Sequence, residues 1–281
     1  MLRLWLVITV FGLITAALIP VQALAVYFEW AMRHAIPKLY HRMLCALIGV
    51  RVHVVGSPPK QRPLLILANH SSWLDITVIT SMLSVVFVAK SEVATWPLFG
   101  LLAKLQRSIF VDRNRRHKTG ETSSEIAQRL VDGDPVVLFA EGTSSDGNRV
   151  LPFRTALIGA ARELLAVHNH IADRVTIQPL SVAYVGWQGL PLDRRQRTAV
   201  SWYGTVELVP HLANIVRSGA IDVVLTWGEP VTYDDNTDRK VLAKAMEVAV
   251  RQLTTTSLRS GVVPRPKQAG VRPASQVATA D

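Results

Sequence analysis

The sequence predicts an α/β fold: a largely parallel mixed sheet flanked by helices, preceded by an N-terminal membrane-anchoring helical segment. Three observations lead there. Short runs rich in Val, Ile and Leu recur beyond residue 50, several of them continuously apolar, as strands covered on both faces tend to be. Stretches with helical spacing separate these runs, and such alternation marks a chain built of βαβ units. Ahead of both lie 25 residues, Leu4 to Phe28, without a single charge.

As a helix the leading run is roughly 37 Å long, enough to cross a hydrocarbon core. Pro20 and Gln22 interrupt it, which leaves a kinked or re-entrant segment open. Ala23-Leu24-Ala25 has the form of a signal-peptide cleavage site, but the apolar run exceeds an ordinary signal core. Arg33, Lys38, Arg42 and Arg51 follow the run, against Arg3 alone before it. The positive-inside tendency then keeps the C-terminal bulk in the cytoplasm. We therefore expect residues 1–49 to anchor the chain in the cytoplasmic membrane, with the rest of the chain on its cytoplasmic side. From Trp30 to Val50 apolar and basic residues alternate at near-helical spacing, which suits either the headgroup layer or a core-facing helix.

Strands are expected at Arg51–Val55, Pro63–Ala68, Val85–Ala89, Ser108–Val111, Pro135–Ala140, Val175–Tyr184 and Asp222–Trp227. Between and after them, helices are expected at Trp73–Leu83, Trp96–Leu105, Gly120–Val131, Arg154–Ala166 and Asp238–Leu258. These elements make residues 50–258 one α/β domain. The tail, 259–281, is rich in Pro, Gly and Ala without periodicity and is expected to be disordered.

Composition bounds the partners. A net charge of +10 on a chain that is 49% apolar suits a membrane surface, a nucleic acid or a phosphorylated ligand. The single cysteine, Cys45, excludes an internal disulfide framework and a cysteine-based zinc cluster. No Walker A stretch, G-x-G-x-x-G or H-E-x-x-H is present.

Three stretches at the ends of apolar strands can carry chemistry. In "LANHSSWLD", His70 follows a strand and Asp75 falls in the first turn of a helix that Ser71 or Ser72 can cap. Residues five apart on one helix do not share a face, so a loop-to-helix bend must bring the carboxylate to the imidazole. A carboxylate on one ring nitrogen would fix the tautomer and leave the other to take a proton. The plainer reading is a helix cap, with Asp75 complementing the helix dipole. "FVDR" ends a strand at Arg113, placed to grip phosphate bidentately; a solvated basic loop is the alternative. In "VVLFAEGTSS" a buried strand delivers Glu141, Gly142 lets the backbone turn close to a ligand, and hydroxyls start at Thr143. A polar loop explains the same residues, and a serine hydrolase does not, because the G-x-S-x-G spacing fails by one residue.

Taken in order, "NHSSWLD", "FVDR", "EGTSS", "LPFR" and "VTIQPLSVAY" resemble the motif series of the glycerolipid acyltransferase family, over about residues 50–230. The resemblance implies a membrane-bound O-acyltransferase that moves an acyl chain from an acyl thioester to a lysolipid hydroxyl. It also implies roles: His70 as general base, Asp75 as its orienting partner, Arg113 on phosphate, and Glu141, Gly142 and Thr143 at the acceptor. No cofactor or metal is implied; acyl-CoA or acyl carrier protein serves as co-substrate, a membrane lipid is the acceptor, and nucleic acid has no part. Three positions depart from the pattern. Ala140 replaces the usual proline, Arg107 stands where a glycine is expected, and Phe153-Arg154-Thr155-Ala156 replaces Phe-Lys-x-Gly. The leading expectation for the acceptor is 1-acylglycerol-3-phosphate, giving phosphatidic acid. "WYGTVELVPHL" and "IDVVLTWGEPV" are similar to the branch that includes lyso-ornithine lipid acyltransferases, which makes that lipid the alternative. A membrane-anchored lipid-binding protein without chemistry is the non-enzyme rival.

Overall fold

The computed structural model describes residues 2–112, 119–155, 174–234 and 236–260, with the backbone alone at 119–121. Arg113, most of the expected helix Arg154–Ala166 and the tail beyond Ser260 lie outside the described residues.

The chain opens with two helices, α1 (Leu2–Tyr27) and α2 (Met32–Ile48), which run without a break through Pro20 and Pro37 respectively. Strand β1 (Val50–Val55) follows, then β2 (Leu64–Ala68), α3 (Leu74–Met82) and β3 (Val86–Lys90). A 3₁₀ turn at Ser91–Thr95 leads to α4 (Phe99–Leu105), β4 (Ile109–Val111), α5 (Thr119–Val131) and β5 (Val136–Phe139). The long β6 (Val175–Trp187) and short β7 (Leu190–Pro191) precede α6 (Arg194–Val200) and α7 (Leu208–Ser218). The described part closes with β8 (Ile221–Trp227), β9 (Val231–Tyr233) and α8 (Arg239–Ser260). The expected helix from Trp96 starts three residues late, because Ser91–Thr95 winds as a tighter 3₁₀ turn first.

Among the described residues, nine strands join one sheet in the order β1-β8-β6-β2-β5-β3-β4, with β7 and β9 also on β6. The pairs β1/β8, β6/β2, β2/β5, β5/β3 and β3/β4 are parallel, and the partners β7, β8 and β9 lie antiparallel to β6. The result is the mixed, largely parallel sheet that the alternation of runs predicts.

Strand β2 shows why the sheet is covered on both faces. All five residues of "LLILA" are buried. Leu64, Ile66 and Ala68 pack with α3 and α7, while Leu65 and Leu67 pack with α5 and α8. Burying a side chain of this size contributes about 1.5–3 kcal/mol, so one strand alone supplies much of the drive to form both layers.

Helix α1 is long and apolar enough to cross a membrane, and most of its surface is open. It is nonetheless tied to the domain at three levels. Arg3 donates to the carbonyl of Ile48 at 2.7 Å, Thr15 shares a hydrogen bond with Tyr40 at 3.0 Å, and the Gln22 amide donates to Arg33 and Leu105 carbonyls at 3.0 and 2.9 Å. Leu4 and Val7 also enter the core beside Ile48 and Val216.

Candidate active site

The site forms where β2 and β5 release the chain at their C-terminal ends. Asn69 is the first residue out, and its side-chain amide replaces a strand partner: it donates to the Val182 carbonyl at 2.9 Å and accepts from the Val182 amide at 2.8 Å. The next residues are held from several sides. The Ser145 amide donates to the His70 carbonyl at 2.8 Å, the Trp202 amide to the Ser71 carbonyl at 2.7 Å, and the Ser72 hydroxyl to the Val200 carbonyl at 2.9 Å. Loops from 145 and 202 thus clamp the bend that the sequence requires.

That bend brings Asp75 back to His70. Asp75 is fully buried, and its Oδ2 lies 2.8 Å from His70 Nδ1. The same oxygen accepts the amides of Ser71 at 2.7 Å and Ser72 at 3.0 Å, while Tyr184 donates its hydroxyl to Oδ1 at 2.7 Å. Asp75 therefore meets the ring nitrogen and the two loop amides at once. The residue at the N-cap of α3 is Trp73, which makes no side-chain cap; the Ser72 hydroxyl accepts the Leu74 amide at 3.5 Å, and Asp75 satisfies the loop amides.

Two consequences follow from chemistry. The backbone amides can only donate, so Asp75 is an acceptor toward them, and the hydrogen between it and the ring sits on Nδ1. Nε2 is then the ring nitrogen left to exchange a proton, on a side chain that is 17% exposed. Burial, with the Asp75 charge beside it, holds the Tyr184 phenol well above its ordinary pKa, so it remains a donor. The imidazole lies flat on Phe139, with ring centroids 4.0 Å apart and planes 15° apart, and Phe87 stacks behind Phe139.

Glu141 faces inward. It is 2% exposed, and its two oxygens accept the amides of His70 and Leu151, each at 3.1 Å. Burial raises its pKa to about 8, outweighing those two amides, which act in the opposite direction. Gly142 takes the left-handed conformation at φ 72°, and a β-carbon there would lie 2.8 Å from Arg154 Cδ and Nε. Thr143 is exposed beside them. The structure thus brings His70, Asp75, Glu141, Gly142 and Thr143 to one end of the sheet; Arg113 lies outside the described residues.

Sequence reasoning placed Arg154 only in the motif series, without a contact, and missed Tyr184 and Phe139 beside His70 and Asp75. The period of two along β6 held the signal for Tyr184, since Leu180, Val182 and Tyr184 share the face that meets α3.

Comparison with known proteins gives the family. The acyltransferase family model matches residues 49–183. The lyso-ornithine lipid O-acyltransferase of Brucella abortus is 46% identical over 94% of this chain and 98% of that protein. The chain belongs to the glycerolipid acyltransferase family. The 1-acyl-sn-glycerol-3-phosphate acyltransferase of Neisseria meningitidis is 34% identical over 77% of this chain and 79% of that protein. In fold, the acyltransferase is similar to the crystal structure of the 1-acyl-sn-glycerophosphate (LPA) acyltransferase PlsC from Thermotoga maritima. That likeness has a TM-score of 0.58 at 21% identity and covers 91% of this chain and 96% of that one. An acyltransferase takes a lipid acceptor and an acyl donor, and the apolar α1 accords with membrane association. The reading of a lipid-binding protein without chemistry gives way to an enzyme. Of the two acceptors weighed, the relatives favour the alternative.

Proposed function

We propose that this acyltransferase transfers a fatty acyl chain from an acyl thioester to the hydroxyl of lyso-ornithine lipid, on the cytoplasmic side of the inner membrane. The observation that carries the chemistry is the saturation of Asp75 by donors, which fixes the proton on His70 Nδ1 and leaves Nε2 as the base. The acceptor follows from the higher identity to the Brucella protein than to the Neisseria one.

In the reaction, Nε2 takes the acceptor's hydroxyl proton as its oxygen attacks the thioester carbonyl. The tetrahedral centre collapses, the C–S bond breaks, and the leaving thiolate takes the proton from the imidazolium. Asp75 stabilises that transient cation. General base catalysis of this kind contributes about 10²–10⁴-fold, and holding two substrates together supplies more. Glu141 acts as a positioning residue through the His70 main chain. Arg154 over Gly142 and the exposed Thr143 supply polar contacts to the acceptor, and Arg113 a phosphate contact when the donor or acceptor carries one. The co-substrate is acyl-CoA or acyl carrier protein.

The test offers labelled acyl donor with lyso-ornithine lipid and 1-acylglycerol-3-phosphate separately, to membranes holding the wild type or His70→Ala. Label that depends on His70 and appears in ornithine lipid supports the proposal. Label confined to phosphatidic acid reverses the acceptor. Label in neither, from a folded and membrane-bound protein, rejects both acceptors.

A further inference from the structure

A second basic site lies at the other end of the sheet. Residues 107 and 108 precede β4, and Asp132 lies before β5, whereas His70 and Glu141 follow β2 and β5. These strands are parallel, so the cavity they border is separated from the acyl-transfer centre by the length of the sheet. Its lining includes four cations, Arg33, Lys104, Arg107 and Arg129, against the carboxylates of Glu29 and Asp132.

The charges are not balanced in pairs. Arg33 meets Glu29 at 3.5 Å, and Arg107 meets Asp132 at 3.5 Å and the buried Asp134 at 2.7 Å. Lys104 and Arg129 have no carboxylate partner among the described residues, and Arg129 Nε is buried without a hydrogen-bond partner. Arg107 adds a further sign. Its backbone is left-handed at φ 64°, the conformation for which glycine is the cheap choice, and its family resemblance leads one to expect glycine there. The chain accepts that strain and gains a guanidinium in the cavity.

The cavity also borders the aromatic end of the apolar helix. Val26 and Glu29 belong to its lining, and Tyr27, Phe28 and Trp30 stand exposed beside them, with neighbouring ring centroids 4.9 and 5.5 Å apart. Tyrosine and tryptophan at the end of an apolar helix are the residues that settle at headgroup level. We propose that this cavity is an accessory site for the phosphate-bearing headgroup of an anionic phospholipid, distinct from the acceptor site. The inference rests on membrane association and is independent of which lysolipid is acylated. An acidic carrier protein would also answer to positive charge. The concave shape and the flanking aromatics favour a headgroup.

The test measures partition of the purified full chain between neutral detergent and vesicles of phosphatidylcholine, with and without phosphatidylglycerol. Lys104→Gln with Arg129→Gln removes the two unpaired cations and orphans no carboxylate. That pair should lower the preference for phosphatidylglycerol by about 25-fold, at roughly 5-fold per cation near an anionic surface. Asp132→Asn should raise it, the opposite of what loss of a merely structural ion pair would do. Arg239→Gln with Lys240→Gln, on α8 across the sheet from α2, should leave it unchanged. An undiminished preference in the Lys104/Arg129 double variant, or an equal loss in the α8 control, overturns the proposal. So does a double variant that keeps its vesicle preference but loses activity only with acyl carrier protein, which would make the cavity a carrier-docking site. Thermal stabilisation by inorganic phosphate exceeding that by phosphatidylglycerol micelles would reassign it to a free anion.

Discussion

Glu141→Gln separates the electrostatic part of the site from its hydrogen bonds. The Glu141 carboxyl is buried and its pKa stands at about 8 instead of 4.5. Between those two values the folded chain holds a proton that the unfolded chain has released, so stability falls as pH rises through that window. The contribution is fully present below about pH 4.5 and is lost by the time pH passes about 8; at ~1.4 kcal/mol per pH unit its size is on the order of 5 kcal/mol. Glutamine does not titrate, but it offers one acceptor oxygen to two amide donors, from His70 and Leu151. Leaving one buried donor unmet costs about 1–3 kcal/mol. The two melting curves should therefore cross: wild type the more stable in mild acid, the variant the more stable in mild base. Thermal melts of both proteins in neutral detergent from about pH 5 to about pH 9 read this directly, because every other titrating group cancels in the difference. A difference that stays constant across the range refutes the reasoning, since Glu141 would then carry the same charge folded and unfolded.

Asp75→Asn can keep its carbonyl oxygen on the Ser71 and Ser72 amides and on His70 Nδ1, turning its NH₂ toward Tyr184. The tautomer then survives while the charge is lost, so kcat should fall by about 10²–10³ with little change in acceptor KM; a fall in KM affinity alone would assign Asp75 to binding. Tyr184→Phe removes the donor to Asp75 Oδ1 and should cost about 1.5–3 kcal/mol in thermal or denaturant melts. It should also lower kcat without moving KM. Unchanged kcat would make Tyr184 a core residue only.

The sequence carried the sheet because β2 and β5 are continuous apolar runs and β8 is apolar but for Asp222 and Thr226, a pattern with few other meanings. It carried His70 and Asp75 because both lie in one short stretch. Tyr184 was hidden by its own strand: a tyrosine among Val, Ala and Leu reads as core, and only its meeting with α3 shows that its hydroxyl has a task. The inward turn of Glu141 was equally hidden, because its partners, His70 and Leu151, come from separate stretches that only the fold juxtaposes. Helix α7 and strand β9 were overlooked for local reasons. Pro210 sits inside the first turn of α7, where proline is tolerated, and β9 is three residues long. The prolines of α1 and α2 point the same way: tertiary contacts carried both helices through residues that would end an isolated one.

The stitching of α1 to the domain gives the enzyme a fixed posture. A helix joined only by a flexible linker would let the catalytic domain roll and bob above the bilayer. Here Arg3 and Gln22 lie most of a helix length apart, and each fills the hydrogen-bonding need of a carbonyl in another element. With α1 seated in a bilayer, its depth would set the height and tilt of the sheet, and with them the position of His70 relative to the lipid surface. An unrelated apolar helix of the same length could keep the protein attached, yet it would leave the Ile48 and Leu105 carbonyls without these donors and the reaction centre without a set altitude.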